Sequence, residues 1–471
     1  MNFSLFFVHF TWVSLVIAIL FPNAASAATP PKPQNTSIPV QVPNELNPSP
    51  NPLQFPTKPQ EVRIRGTVPI SLAQALELAR RNNRDLQVAL LQLERSRSAV
   101  RESQAALFPT LDINSRVNNS GNGFTSNNPS QGSTTFNGSA QLNYNVYTSG
   151  NRQATIQAAQ EQLRVDELNV ETQSLTISLN TTTQYYNLQQ ADEQVRINRA
   201  AVANAQASLR DTLAREQVGV GTRFDVLQAQ VNLANSQQEL TNAISQQQIA
   251  RRQLATLLSL SESADISAAD PVQLSGLWPQ TVEQSIVQAF QNRPELQQQL
   301  AQSNIAEQQG RQALSQLGPQ ISLAGNYNVL DRYNDGVSIA DGYSVGLSGN
   351  LALFDAGVAR AKAAQSRADI AIAQSQFGSQ RDQIRFDVEQ YYSQLQSNLN
   401  NVQTSSVALN QAREALNLAR LRFQAGVGTQ TEVIAAENDL TTAEGNRVAA
   451  ILDYNRALAN LQRSVTSRGL R

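Results

Sequence analysis

Hydroxyl and carboxylate side chains recur at one spacing in two places: Thr222 with Asp225 in "GVGTRFDV", and Thr429 with Glu432 in "GVGTQTEV". A side-chain oxygen of this kind beside the start of a helix caps it, and a first-turn acid complements its dipole. If the two segments instead line the mouth of a pore, the same acids set its ion preference; both readings stand on the residues alone. Elsewhere the chain holds little chemistry. There is no cysteine, Met1 is the sole methionine and His9 the sole histidine. Without imidazole or thiolate there is no such base, no such nucleophile and no soft metal ligand, and only carboxylates, lysines and hydroxyls are left for catalysis. No two acids stand in a distinctive constellation, so a carboxylate-dependent polysaccharide hydrolase is the weaker alternative. No enzyme activity, cofactor or metal is expected.

The elements that position the two segments follow from composition and pattern. At 471 residues, 41% hydrophobic and a mean hydropathy of -0.34, the chain is too polar for a multi-span helical membrane protein. A net charge of -1 with no block of like charges argues against a nucleic-acid surface. Residues 1–27 hold the apolar run "LFFVHFTWVSLVIAILF" and then "PNAASA", which reads as a signal peptide cleaved after Ala27; the n-region has no Lys or Arg, and the rival reading is an uncleaved anchor. Residues 28–70 contain eleven of the eighteen prolines and read as an extended, disordered leader.

From Ser71 the chain is an internal duplication, with repeats at 71–265 and 266–471. "SLAQALELARRNNRDL" from Ser71 matches "TVEQSIVQAFQNRPEL" from Thr281, "LFPTL" from Leu107 matches "LGPQI" from Leu317, "YTSG" from Tyr147 matches "FDAG" from Phe354, and "QYYN" from Gln184 matches "QYYS" from Gln390. Each repeat predicts a helix, two strands, a very long helix, the glycine turn and a return helix.

The strand segments alternate. Leu111, Ile113 and Val117, then Phe136, Ala140, Leu142, Tyr144 and Val146, interleave with polar residues, as Ile321, Leu323, Tyr327 and Val329, then Tyr343, Val345, Leu347, Leu351 and Leu353, do with small or polar residues. Segments of about 9–11 residues with this period suit transmembrane β-strands, with Leu142, Tyr144, Leu347 and Leu351 facing lipid; an ordinary soluble hairpin carries the same alternation. In the helical segments apolar residues recur every seven positions: Ile156, Leu163, Val170, Ile177, and in the second repeat Ile370, Phe377, Ile384, Tyr391; a second series takes over at Leu188, Val195, Val202, Leu209, matched by Leu395, Val402, Leu409, Leu416 with Val388 extending it. Such heptads mean coiled-coil packing. A second apolar set, Leu168, Leu175, Leu179 and Tyr186, sits roughly 140–155° around the helix from the first and gives the column two neighbours, in a cylinder or in a solid bundle. Each "GVGT" then becomes the tip of an antiparallel helical hairpin, its glycines permitting the positive φ of the reversal: Gly219, Val220, Gly221, Thr222 and Arg223 in the first, and Gly426, Val427, Gly428, Thr429 and Gln430 in the second.

The duplicated plan, the two G-x-x-x-x-x-[DE]-V turns, the prolines Pro109 and Pro319 at the strand entries and the "YTSG"/"FDAG" exits together resemble the TolC family of outer-membrane efflux proteins over residues 71–465. The resemblance implies a mainly α fold with a small membrane sheet, assembled as a homotrimer with a twelve-strand β-barrel in the outer membrane and a twelve-helix α-barrel through the periplasm. It implies an exit duct for a tripartite efflux pump or a type I secretion system, with a periplasmic adaptor, an inner-membrane transporter and the lipid bilayer as partners and the hairpin tips as gate. Glu432 matches an acid that rings the entrance constriction; a second family acid three residues on is Ala435 here. Asp225 matches an acid that holds the tip closed, but its tyrosine and arginine partners correspond to Phe423 and Gly428. That departure leaves the closed state to packing or to other polar pairs, with Arg223 and Gln430 as candidates and the tips as the adaptor contact. The alternative is a periplasmic coiled-coil scaffold or adaptor held by an uncleaved N-terminal anchor, which has no use for four alternating strands.

Overall fold

A computed structural model describes residues 43, 46–48, 51, 53–64, 66–120, 133–333 and 339–465. The signal segment 1–27 lies outside the described residues. In chain order the elements are β1 (Thr67–Ile70), α1 (Leu72–Asn82), α2 (Arg84–Ala105), β2 (Thr110–Ser120), β3 (Ser133–Tyr147), α3 (Asn151–Gln217), α4 (Arg223–Leu257), β4 (Asp265–Ala268), α5 (Val282–Asn292), α6 (Pro294–Ser315), β5 (Gln320–Tyr333), β6 (Ala340–Asn350), α7 (Val358–Gln424) and α8 (Gln430–Val465).

The long elements lie side by side as a wall, against which α1, α5 and β4 pack partway along. The four long strands form an antiparallel sheet in the order β2-β3-β5-β6. Beside it, α3 lies between α2 and α6, with α7 packed on the far side of α6; farther along, α3 lies between α4 and α8, with α7 on the far side of α8. The two-neighbour expectation for α3 therefore holds along its length. α3 and α7 are 67 residues each, about 100 Å at 1.5 Å per residue. Their heptads account for the burial: Leu188, Val195 and Val202 on α3, and Val388, Leu395, Leu409 and Leu416 on α7, are all buried. Among the described residues no helix is long and apolar enough to cross a membrane.

Strand passes to long helix through a left-handed pair, Ser149 (φ 50) with Gly150 (φ 87), repeated as Ala356 (φ 54) with Gly357 (φ 88). Glycine tolerates that region freely and a side-chain-bearing residue rarely adopts it, so the repeated pair marks a turn that both halves need to redirect the chain.

Halfway along the column lie two apolar cores, the first of which also takes in Val448 and Leu452 of α8. One gathers Leu78, Tyr185, Leu188, Leu254, Leu258 and Ile266; the other gathers Leu296, Ile384, Val388, Tyr454, Leu458 and Leu461. Here the disordered-leader expectation needs correction at its C-terminal end. Thr67–Ile70 is strand β1, paired in parallel with β4, and Leu46 is buried in the first core. Alternating Val68 and Ile70 supply an apolar strand face, and Pro69, which cannot donate to a ladder, is tolerated in so short an edge.

Candidate channel surfaces: the sheet faces and the hairpin tips

The cross-strand register sorts the sheet's side chains onto two faces. Leu111 pairs with Leu142, Leu142 with Gly325, and Gly325 with Val345; Ile113 pairs with Ala140, Ala140 with Tyr327, and Tyr327 with Tyr343; Tyr144 pairs with Leu323, and Leu323 with Leu347. All of these occupy one face. The next row over, Asp112, Gln141, Asn326 and Ser344, occupies the other. One face is thus aliphatic and aromatic while the other is amide and hydroxyl. The apolar face is uncovered: Ile113 is 77%, Tyr343 84% and Leu347 69% exposed, which water does not tolerate over a contiguous patch of this size. Leu142 and Tyr144 lie on this face with Leu347. Leu351 falls past the end of β6 at Asn350, outside the ladder, where the chain turns toward α7. Among the described residues the outer strands β2 and β6 pair on one side only.

At the far end of the column each tip is closed by backbone and cap bonds of the same kind. Val220 and Gly221 both donate to the Arg215 carbonyl at 3.0 Å, and Val427 and Gly428 both donate to that of Arg422 at 3.0 Å. Gly219 and Gly426 each sit at φ 78. A Cβ on Gly221 would lie 3.1 Å from the Glu216 nitrogen, and one on Gly428 would lie 3.0 Å from that of Phe423, so the second glycine of each tip answers to space and the first to conformation. Thr222 Oγ1 accepts from the Asp225 amide at 3.2 Å, and Asp225 Oδ2 accepts from the Thr222 amide at 3.1 Å, a reciprocal capping box. Thr429 Oγ1 likewise accepts from the Glu432 amide at 3.2 Å. The Glu432 carboxylate lies 3.8 Å from Arg422, and both side chains are about half exposed.

The tips also touch one another through side chains. Gln430, 1% exposed, donates to Ser208 Oγ at 2.8 Å and accepts from Thr212 Oγ1 at 3.1 Å. The Arg215 guanidinium lies 4.6 Å from the centroid of the Phe423 ring and donates to the Gln424 carbonyl at 3.4 Å. Thr431 bonds Gln228 at 3.1 Å. Arg223 faces water, 3.9 Å from Glu216. Of the two latch candidates, then, the structure puts Gln430 between the hairpins and Arg223 within the first. Arg215 was missed by sequence reasoning. One signal for Gln430 was present: its duplicate is the charged Arg223, and a neutral amide replacing a cation at a repeated position points to burial.

Farther up the second hairpin, Glu437 of α8 is 5% exposed and accepts from Arg420 of α7 at 3.0 Å. Burial holds its carboxyl above the usual glutamate range, and Arg420 opposes that shift in part.

A sheet one layer thick, apolar on one side and amide-lined on the other and carried on a helical column of about 100 Å, is the class of wall from which a membrane β-barrel with a long helical extension is built. The profile of the outer membrane efflux protein family matches residues 75–259 and 285–466, and the chain belongs to that family. Relatives include the pyoverdine export outer membrane protein OpmQ of Pseudomonas aeruginosa, 25% identical over 407 residues (83% of this chain, 82% of OpmQ). The outer membrane protein TolC of Escherichia coli is 22% identical over 406 residues, 82% of this chain and 80% of TolC. In fold the chain is similar to the outer membrane protein VceC of Vibrio cholerae, with a TM-score of 0.70 at 19% identity over 84% of this chain and 95% of that one. It is also similar to the open state of the MtrE outer membrane channel of Neisseria gonorrhoeae, with a TM-score of 0.71 at 20% identity over 84% and 88%. The protein is accordingly an outer-membrane efflux channel with a periplasmic extension, a conduit and not an enzyme. Membership sets aside the scaffold and hydrolase alternatives.

Proposed function

We propose that three copies of this chain close edge to edge into one duct, and that the duct is the exit stage of a tripartite pump whose other parts are a periplasmic adaptor and an inner-membrane transporter. The observation that carries this reading is the pair of free sheet edges. Three antiparallel steps separate β2 from β6, so the edges run in opposite senses and a rotated copy continues the ladder without reversing it. Open edges in lipid leave backbone groups unsatisfied at several kcal/mol each, and only closure removes them. Three sheets of four strands give twelve, an even number as bacterial barrels have.

The helical flanks support the same closure. On α7, Ile372, Phe386, Val407 and Leu421 are all more than half exposed and are spaced by multiples of seven, a coiled-coil seam with no partner among the described residues. On α4, Phe224 and Val231 are exposed at the same spacing. Val407 and Leu421 of one copy meet the α4 flank of the next, and Ile372 and Phe386, nearer the sheet, meet its α2 flank.

The tips are the gate and the adaptor contact in this reading. Glu432 supplies a carboxylate at the entrance, and Asp225, with its cap bonds, shapes the first tip. Opening is a population shift toward splayed hairpins, driven by adaptor contacts that favour that state. Residues 1–27 serve as the export signal. The test is the mass of the purified protein in detergent together with its conductance in planar bilayers. A trimer giving discrete channels is expected; a silent monomer ends the proposal.

A further inference from the structure

The inference that follows rests on the duct reading and concerns what the membrane section selects. The polar face of the sheet is built mainly of groups that both donate and accept hydrogen bonds: Asn137, Ser139, Gln141 and Asn143 on β3, and Asn326 and Asn328 on β5. Within the paired body of the sheet two charges break this lining, Asp112 opposite Gln141 and Arg116 opposite Asn137. Of the other charged residues of the four strands, Asp331 and Asp341 fall on the apolar face, and Arg332, opposite Thr135, shares the polar face with Arg116 at the loop end of the ladder.

Both exceptions are on β2, an edge strand exposed along its whole length. The polar-face residues of the opposite edge, β6, are small: Ala340, Gly342, Ser344, Gly346 and Ser348. In a closed barrel the seam therefore leaves open space in front of Asp112 and Arg116. Four residues along a strand span about 13 Å, too far for the two to neutralise each other as an ion pair.

We propose that Asp112 and Arg116 are the charge filter of the membrane section: in the assembled duct they make two rings of opposite sign in an amide lining, the acidic one on the helix side and the basic one toward the loops, where Arg332 adds to its sign. A solute with a large net charge of either sign meets one attractive and one repulsive ring. Hydrogen-bonding cargo with little net charge meets neither, and that is the class this section passes most freely.

The test is the reversal potential of the full-length protein in planar bilayers across a potassium chloride gradient. Asp112→Asn is expected to move the cation-to-anion permeability ratio toward anions by about two-fold or more at low salt and Arg116→Gln to move it toward cations, both shifts shrinking near 1 M where the screening length falls to about 3 Å. The chain has no cysteine, so Asn326→Cys and Leu142→Cys give single thiols for a membrane-impermeant reagent. If Asn326→Cys is labelled while the two charge variants leave the ratio unmoved, or shift it in the same direction, the filter is overturned and the duct stands. If Leu142→Cys is labelled from water and Asn326→Cys is protected, the faces are reversed and the duct reading falls with it.

Discussion

The two hairpin tips descend from one design and have been put to different uses. Arg215 and Arg422 are duplicates, each accepting the two amides that close its own turn. Yet Arg422 reaches Glu432 in its own hairpin, whereas Arg215 stacks on Phe423 of the other. Glu216 stands where the second repeat has Phe423, and Arg223 stands where it has Gln430. Two substitutions thus turn a solvated surface into a contact: an acid becomes a ring, and a cation becomes a buried amide. Higher up, the pair of partly exposed Arg420 and buried Glu437 replaces Leu213 and the exposed Gln230 of the first hairpin. Duplication fixes the backbone of a tip, and a few side chains then decide whether it faces water or its twin.

That contrast can be broken most sharply by exchanging the duplicates. Gln430→Arg forces a cation against Ser208 and Thr212 and is expected to cost about 3 kcal/mol or more as an unpaired buried charge, read as a fall in the helical melting transition. The reciprocal Arg223→Gln is expected to stay within about 0.5 kcal/mol. Equal losses would dissolve the distinction between a joined and a solvated tip.

Next come the caps, where the tips should agree. Thr222→Ala and Thr429→Ala are each expected to cost about 1 kcal/mol, measured as loss of hydrogen-exchange protection in the first turns of α4 and α8. A smaller gap is expected between the duplicated arginines. Arg215→Ala should loosen the contact between hairpins by about 0.5–1 kcal/mol, while Arg422→Ala removes only an exposed ion pair and should fall below about 0.5 kcal/mol. The same exchange measurement ranks them, and a larger effect at Arg422 would reverse the roles given to the two tips.

The last prediction concerns pH and carries the smallest effect. Burial raises the Glu437 carboxyl above its ordinary value, so the folded hairpin binds that proton more tightly than the unfolded chain does. Stability from this group is present at low pH and is lost as pH rises through the raised value. Acidification from neutral pH through the raised value should increase protection around α8 relative to α4, and Glu437→Gln should abolish the difference. A second hairpin that loosens on acidification would show the sign to be wrong.

Most of the architecture was legible in the sequence because it is periodic. Alternation at Leu142 and Tyr144 set a sheet face, and the seven-residue series through Leu188 and Val195 set a helical seam. What escaped is aperiodic or lies between distant segments. The strand end before Leu351 depends on where pairing stops, which alternation does not mark. Burial of Leu46 depends on a single side chain in a stretch whose prolines suggest only extension. The contact of Arg215 with Phe423 joins residues 208 positions apart and leaves no local trace. Capping at Thr222 and Thr429, by contrast, is a matter of three residues and was visible.

The central ladder of the sheet carries a further consequence. β3 ends at Tyr147 and β5 begins at Gln320, so the pairing that unites the two halves must wait for both segments, while each helical hairpin can zip from its own turn. Contacts this distant in sequence form slowly, although the entropy of closing so long a loop rises only with the logarithm of its length. The order of maturation follows: a newly exported chain acquires its staves early and its greasy collar late, and the surface that must enter the bilayer is assembled after the parts that remain in water.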